Sequence, residues 1–287
     1  MLYIFTSGIL WGTVGIFVKI LSSLGADVSQ TSFLRMLFAF LIMFSFAVSK
    51  HGKKFFAQDK KTVFFCALLG IISNGLFNIF YSTSIKLNGM GIACVLMYTA
   101  PVFTAIASFL IFHEKFSKLK IFALILNISG CILTVTGGNI FNNANISIMG
   151  ILAGLGSGFG YGMAAVFGKA AGEKTDALIV STYSYFFAVI FLIIFSTPHD
   201  LNFAGNLKIL SAGFFYGFIP TALAYMFYYT GLKKIRDISK VPVIASIEPV
   251  TAVLIGIFVF NESINAANFL GFAVVFLSIA LMVKFQK

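Results

Sequence analysis

The stretch Ala100-Pro101-Val102 followed by Glu114 decides the fold, because it returns as Glu248-Pro249-Val250 followed by Glu262. In each copy the proline and the glutamate stand thirteen residues apart, and both residues recur at an offset of 148. Further out, Trp11-Gly12 with Phe17 and Lys19 is matched by Tyr161-Gly162 with Phe167 and Lys169 at an offset of 150. Gly70, Tyr81 and Lys86 are matched by Gly217, Tyr228 and Lys233 at 147. Nearly constant offsets along the chain mean that one unit was copied whole.

The unit belongs in a bilayer. Hydrophobic residues make up 59% of the chain, charged residues 10%, and mean hydropathy is +0.99, whereas a soluble domain is about one quarter charged. Apolar runs long enough to span predict ten helices, at 2–22, 32–49, 62–84, 91–112, 120–138, 148–169, 177–196, 208–231, 241–260 and 265–283. The expected fold is therefore an all-α integral membrane protein whose ten transmembrane helices form two five-helix repeats, residues 1–138 and 148–287. Five is odd, so the second repeat enters the membrane inverted, an arrangement that recurs in secondary transporters with a site near the midplane. The N-terminus reads as a first transmembrane helix rather than a cleaved signal, having no basic n-region and too long an apolar run.

The net charge of +11 is confined to alternate loops. Lys50, Lys53, Lys54, Lys60 and Lys61 follow the second span; Lys115, Lys118 and Lys120 the fourth; Lys169 and Lys174 the sixth; Lys233, Lys234, Arg236 and Lys240 the eighth; Lys284 and Lys287 end the chain. The other side has Lys19, Lys86 and Lys208, with Arg35 just inside the second span. The positive-inside rule puts the crowded side and both termini in the cytoplasm of a multi-pass inner (plasma) membrane protein. The basic surface faces anionic lipid rather than nucleic acid. Cys66, Cys94 and Cys131 fall in three different spans without metal-ligand spacing and read as small packing residues.

Ten short spans in two halves, each with a proline followed thirteen residues later by a glutamate, resemble the drug/metabolite transporter superfamily, and most closely its bacterial EamA-type branch. The residues that carry the resemblance are Trp11-Gly12, Phe33-Leu34-Arg35, Ala100-Pro101-Val102 with His113-Glu114-Lys115, and Glu248-Pro249-Val250 with Asn261-Glu262-Ser263 and Gly271. The first half departs from the pattern with Ala123 where the second has Gly271, so helix approach is expected to differ there. The resemblance covers essentially the whole chain. It implies a carrier of small organic metabolites, many members exporting amino acids or related compounds, with importers and exchangers as the alternative. No cofactor is implied; the partners are a small-molecule solute and the lipid bilayer. Proton coupling and facilitated diffusion stay open, as does oligomeric state.

Glu248 is the one carboxylate well inside a predicted span, and a charge at that depth must be paired or hydrated. The structural reading has it capping a distortion at Pro249. The functional reading has it facing a wet cavity, binding a substrate ammonium or carrying a proton. Arg35 either snorkels to the interface or offers a fixed fork to a carboxylate or phosphate; with Glu248 it would suit a zwitterion. Around them at membrane depth stand Trp11, Asn74, Asn78, Tyr81, Tyr98, Tyr161, Tyr225 and Tyr228, either an interfacial belt or the walls of an aromatic cavity. Pro101 and Pro249 are expected to kink the fourth and ninth helices, and Glu114 and Glu262 to hold the hinges that follow or act as gates. Lys19 and Lys169 read as interface anchors. Gly150, Gly154, Gly158 and Gly162 recur every four residues, and Gly8 and Gly12 repeat the last pair. Such stripes predict tight packing of the first and sixth helices, with smooth faces for rocking.

Other function classes fit poorly. No G-x-x-x-x-G-K-[ST] is present, which disfavours an ATP-driven pump. A membrane enzyme would need histidines or paired carboxylates at depth, whereas His51, His113 and His199 lie in or beside loops. A structural subunit would leave the inverted repeat without a use, and an open channel would leave the paired prolines without one.

Overall fold

The computed structural model describes residues 1–114, 117–139, 147–195, 205–261 and 265–284. Among these, nine helices are long and apolar enough to cross a bilayer, and Ala100–Phe112 is a shorter apolar helix. One of the nine, Lys60–Met97, turns at Gly89 (φ 81°, ψ 163°), a backbone conformation open to glycine because it has no Cβ. Counted through that turn, the chain crosses ten times. The spans are Leu2–Ser23, Val28–His51, 60–88, 90–112, Lys118–Thr136, Ile148–Gly172, Ala177–Phe195, Leu207–Lys233, Ile238–Phe260 and Ala266–Lys284. Polar caps mark where several begin: Asp27 accepts from Gln30 N–H, Asp59 from Thr62, Ser117 from Lys120, Ser147 from Gly150 and Asn206 from Ile209.

The two repeats interlock. The first span lies on the eighth and ninth, and the sixth lies on the third and fourth; the second packs on the seventh and eighth, the seventh on the second and third, and the fifth pairs with the tenth. The glycine stripes explain the first of these contacts. A Cβ on Gly8 would stand 2.5 Å from Ile247, and one on Gly12 2.5 Å from Thr251, both in the ninth span. Cβ atoms on Gly154, Gly158 and Gly162 would strike Leu96, Thr99 and the Ala100 carbonyl of the fourth, and one on Gly150 would strike Asn88. The tight packing predicted from the stripes is present, but its partners differ from the expected ones. The first and sixth spans each grip a broken helix rather than one another.

Both broken helices part just before their proline. In the fourth span the helix stops at Met97 and restarts at Ala100; in the ninth it stops at Ala245 and restarts at Ile247. Thr99 and Ser246 turn their hydroxyls back onto the Leu96 and Val243 carbonyls freed there. Pro101 and Pro249 thus sit in the first turn of a new helix, where a missing N–H is harmless, instead of kinking a continuous one. Their helices end alike, with His113 (φ 54°) and Asn261 (φ 53°) left-handed.

Wide turns form a third repeated feature. Residues Leu69–Leu76 of the third span and Phe218–Leu223 of the eighth are π-helical. Such turns leave a carbonyl short of its donor, and one polar side chain supplies it in each: Asn74 Nδ2 donates to Leu69 O (3.3 Å) and Thr221 Oγ1 to Tyr216 O (2.9 Å). Asn74 and Thr221 are 147 apart, the offset of the repeat.

Candidate functional site

Trp11 is the hub. It lies two residues before the first span's own break at Thr13, is only 4% exposed, and meets Tyr225 at 5.0 Å, Tyr228 at 5.1 Å and Tyr161 at 6.0 Å between ring centroids. Tyr161 in turn lies 5.9 Å from Phe77, and Tyr225 lies 5.7 Å from Tyr185. The indole Nε1–H is buried and has no hydrogen-bond partner among the described residues. A donor in that position is costly unless something accepts from it.

Glu248 stands in the first turn of the helix Ile247–Phe260, where the positive end of the helix dipole favours its charge. Its Oε2 accepts a 2.7 Å hydrogen bond from Tyr161 OH. The side chain is half-buried. It does not cap the break beside Pro249; Ser246 does that, helped by Asn127, which donates to Ser246 and Ser278.

Arg35 reaches inward rather than to the interface and is 9% exposed. Its Nε donates to Thr221 Oγ1 at 3.0 Å, and its guanidinium lies 5.3 Å over the Tyr216 ring. The local sequence explains the grip. Pro220 lacks an N–H, the helix widens, and the Thr221 hydroxyl that fills the gap at Tyr216 presents its lone pairs to Arg35. The charges of Arg35 and Glu248 act on each other through the aromatic cluster, and Tyr225 feels both.

The other predicted residues divide. Tyr81 stacks on Phe77 and pairs with Cys94 Sγ at 2.9 Å, and Tyr98 is buried against the fifth and tenth spans, both within electrostatic reach of Glu248. Asn74 and Asn78 do not join the aromatic cluster. Asn74 serves the π turn, and Asn78 donates to the Asn74 carbonyl while its Oδ1 accepts from Ser32 Oγ at 3.4 Å. Sequence reasoning missed Thr221, Tyr185 and Tyr216, though the offset of 147 from Asn74 could have marked Thr221.

Glu114 binds across the protein as well as within its own hinge. Its carboxylate accepts from the N–H groups of Ile238 (2.8 Å) and Ser239 (3.4 Å), at the start of the ninth span. Lys120 lies 3.6 Å from Glu114 and donates to Asp237 at 3.0 Å, and Lys169 donates to the Ile235 and Arg236 carbonyls. Burial, reinforced by the nearby Asp237 carboxyl, raises the Glu114 acid above its ordinary value. Burial also pushes Asp237 upward, but hydrogen bonds with Glu114, Ser239 and Lys120 hold it below the usual aspartate range. Lys50 with Asp176 at 3.1 Å adds a second tie on the same basic face. Glu262 lies outside the described residues. Lys19 rests its ammonium 3.8 Å over Phe260, as an anchor would.

A family model described as the EamA-like transporter family matches residues 1–136 and again 148–284. The chain belongs to the EamA-like transporter family. Relatives of this EamA-like transporter include an uncharacterized transporter of Archaeoglobus fulgidus, 28% identical over 94% of this chain and 90% of that one. The uncharacterized inner membrane transporter YicL of Salmonella typhimurium is 22% identical over 98% and 94%. The uncharacterized transporter YwfM of Bacillus subtilis is 19% identical over 98% and 92%. A solved crystal structure shares the fold with a TM-score of 0.80 at 15% identity, over 99% of this chain and 96% of that one. The protein is thus a multi-pass membrane transporter rather than an enzyme, as its sequence led us to expect.

Proposed function

We propose that this EamA-like protein is a secondary carrier that exports small amino-acid-like metabolites by alternating access, from the inner membrane with both termini in the cytoplasm. The observation that carries the reading is that Arg35 and Glu248 both border one buried aromatic cluster, around a Trp11 N–H that has no partner among the described residues. A substrate carboxylate takes the free edge of the Arg35 fork, the ammonium takes Glu248, and the rings accept an apolar side chain with cation–π support. Interlocked bundles that part at one face and then the other give the alternation.

Counterflow of a labelled amino-acid and metabolite panel in liposomes tests the reading, with and without an imposed pH gradient. Saturable counterflow of zwitterions is expected, and gradient-driven accumulation would assign proton coupling. Flux confined to solutes lacking either a carboxylate or an amine would reject it. The basic face is read as cytoplasmic, and export as the direction of net flow; vesicles of both orientations test these in the same assay.

A further inference from the structure

The second and third spans leave a cleft between them at the face opposite the basic loops. The second span packs on the seventh and eighth, where Gly217 admits the backbone of Arg35 and Ala39. The third packs on the sixth and seventh, where Gly70 admits the Ser184 carbonyl. The two touch each other mainly through the Ser32–Asn78 hydrogen bond, and a cleft of about 360 Å³ remains, lined by Val28, Ser82, Thr83, Ile85 and Lys86.

The cleft points at the Arg35 site. On the third span Asn74, Asn78, Ser82 and Lys86 follow at four-residue spacing, forming one polar line down one face. On the second, Val28, Ser32 and Arg35 follow at spacings of four and three, again on one face. From the cleft, one helical turn leads down to Ser32 and Asn78, which close the seam with their 3.4 Å hydrogen bond, and the next turn leads to Arg35. Lys86 is exposed at the mouth and forms no ion pair with a described residue. The polar ties on the basic face, Glu114 to Ile238 and Lys50 to Asp176, close the opposite end.

We propose that this cleft is the solute's route between the Arg35 site and the face opposite the basic loops, that the Ser32–Asn78 hydrogen bond is its gate, and that Lys86 at the mouth attracts the solute's carboxylate. The proposal rests on the carrier reading for what passes, but not for where the opening lies. Between the two cations the neutral Ser82, Asn78 and Ser32 run beside the apolar Val28 and Ile85, so no negative group opposes an anionic solute along that line.

Thiol labelling tests it without a known solute. In a C94S background, with Cys66 and Cys131 fully buried, S82C should react with a membrane-impermeant methanethiosulfonate from the face opposite the basic loops at least about tenfold faster than from the basic face. Y225C, below the gate, should react at least about tenfold faster once N78A removes it. K86Q should raise KM for a zwitterion about threefold at low salt and much less at high salt, since an exposed charge is screened. An unreactive S82C, or a Y225C rate indifferent to N78A, overturns the route while leaving counterflow, and so the carrier reading, intact. Labelling as expected in a protein that gives no counterflow keeps the route and rejects the carrier.

Discussion

Position by position, the two repeats agree on the scaffold and differ at the site. Gly70 against Ser184, Phe187 and Ala188 in one is Gly217 against Arg35, Phe38 and Ala39 in the other. The π turns with Asn74 and Thr221, the breaks before Pro101 and Pro249, and the left-handed ends at His113 and Asn261 are all present twice. Even Ala123 keeps the scheme: Gly271 admits Thr134, and at the offset of 148 Ala123 shares a buried cluster with Met282. By contrast, Arg35 answers to Ser184, Glu248 to Ala100, Trp11 to Tyr161 and Asn78 to Tyr225. Duplicated residues solve a problem that both halves share, closing helices in lipid. The unduplicated ones give one buried aromatic cluster a positive and a negative end, which an object of exact twofold symmetry could not have.

The largest effects should come from the singletons. Glu248→Gln is expected to abolish counterflow while leaving folded, inserted protein, measured by flux and by size-exclusion profile on the same preparation; normal transport by that variant would remove Glu248 from the mechanism. Arg35→Gln removes a charge-assisted hydrogen bond to the carboxylate, about 1.5–3 kcal/mol, and so should raise KM roughly ten- to a hundredfold. A deaminated acid should suffer from this variant as much as the amino acid does.

Next come the duplicated glycines. Gly70→Ala would set a Cβ 2.4 Å from the Ser184 carbonyl, and Gly217→Ala one 2.6 Å from Phe38 Cβ. Overpacking of this kind costs about 1–3 kcal/mol. Both variants should lower the thermal unfolding temperature by similar amounts, and a large effect from only one of them would break the equivalence of the repeats.

Thr221 and Asn74 sharpen the contrast, because they share the carbonyl-filling task and only Thr221 also holds Arg35. Thr221→Ala should raise KM about two- to tenfold, the equivalent of a hydrogen bond of about 0.5–1.5 kcal/mol, with Thr221→Ser restoring it. Asn74→Ala should move the unfolding temperature and leave KM alone. Equal KM effects would show that both act only through helix integrity.

The smallest effect concerns pH at the basic face. With its value raised, Glu114 takes up its proton on acidification before an ordinary glutamate would, and its attraction to Lys120 is lost. The lowered Asp237 contributes above the ordinary aspartate range and gives way only when pH falls through its depressed value. Mild acid should therefore quicken thiol labelling of Ile235→Cys from that face by less than about threefold, because Asp237 still holds Lys120. Glu114→Gln should flatten the response.

Much of the site was visible as residues out of place. Glu248, Arg35 and Trp11 stand out because charge and bulk are rare in apolar runs, and each borders the aromatic cluster of the candidate site. Thr221, Tyr185 and Tyr216 did not stand out, since hydroxyls in spans usually satisfy a local carbonyl, and the π turn that aims Thr221 leaves no signature in composition. The glycine stripes were read correctly as contact faces and assigned the wrong partners. A stripe says how closely a neighbour may come and nothing about which helix it is.

Ten crossings, their inversion and the gathering of basic loops on alternate sides follow from the sequence by itself, because hydropathy, loop charge and an internal offset are properties of local stretches. Only the tertiary structure decided that the first span lies on the ninth and the sixth on the fourth, and that Arg35 meets Thr221 across 186 positions and Tyr161 meets Glu248 across 87. In a bilayer every apolar helix face is acceptable to lipid, so helix partners are chosen by close fit and by a few polar contacts. Those depend on atoms far apart in the chain, which no local pattern records.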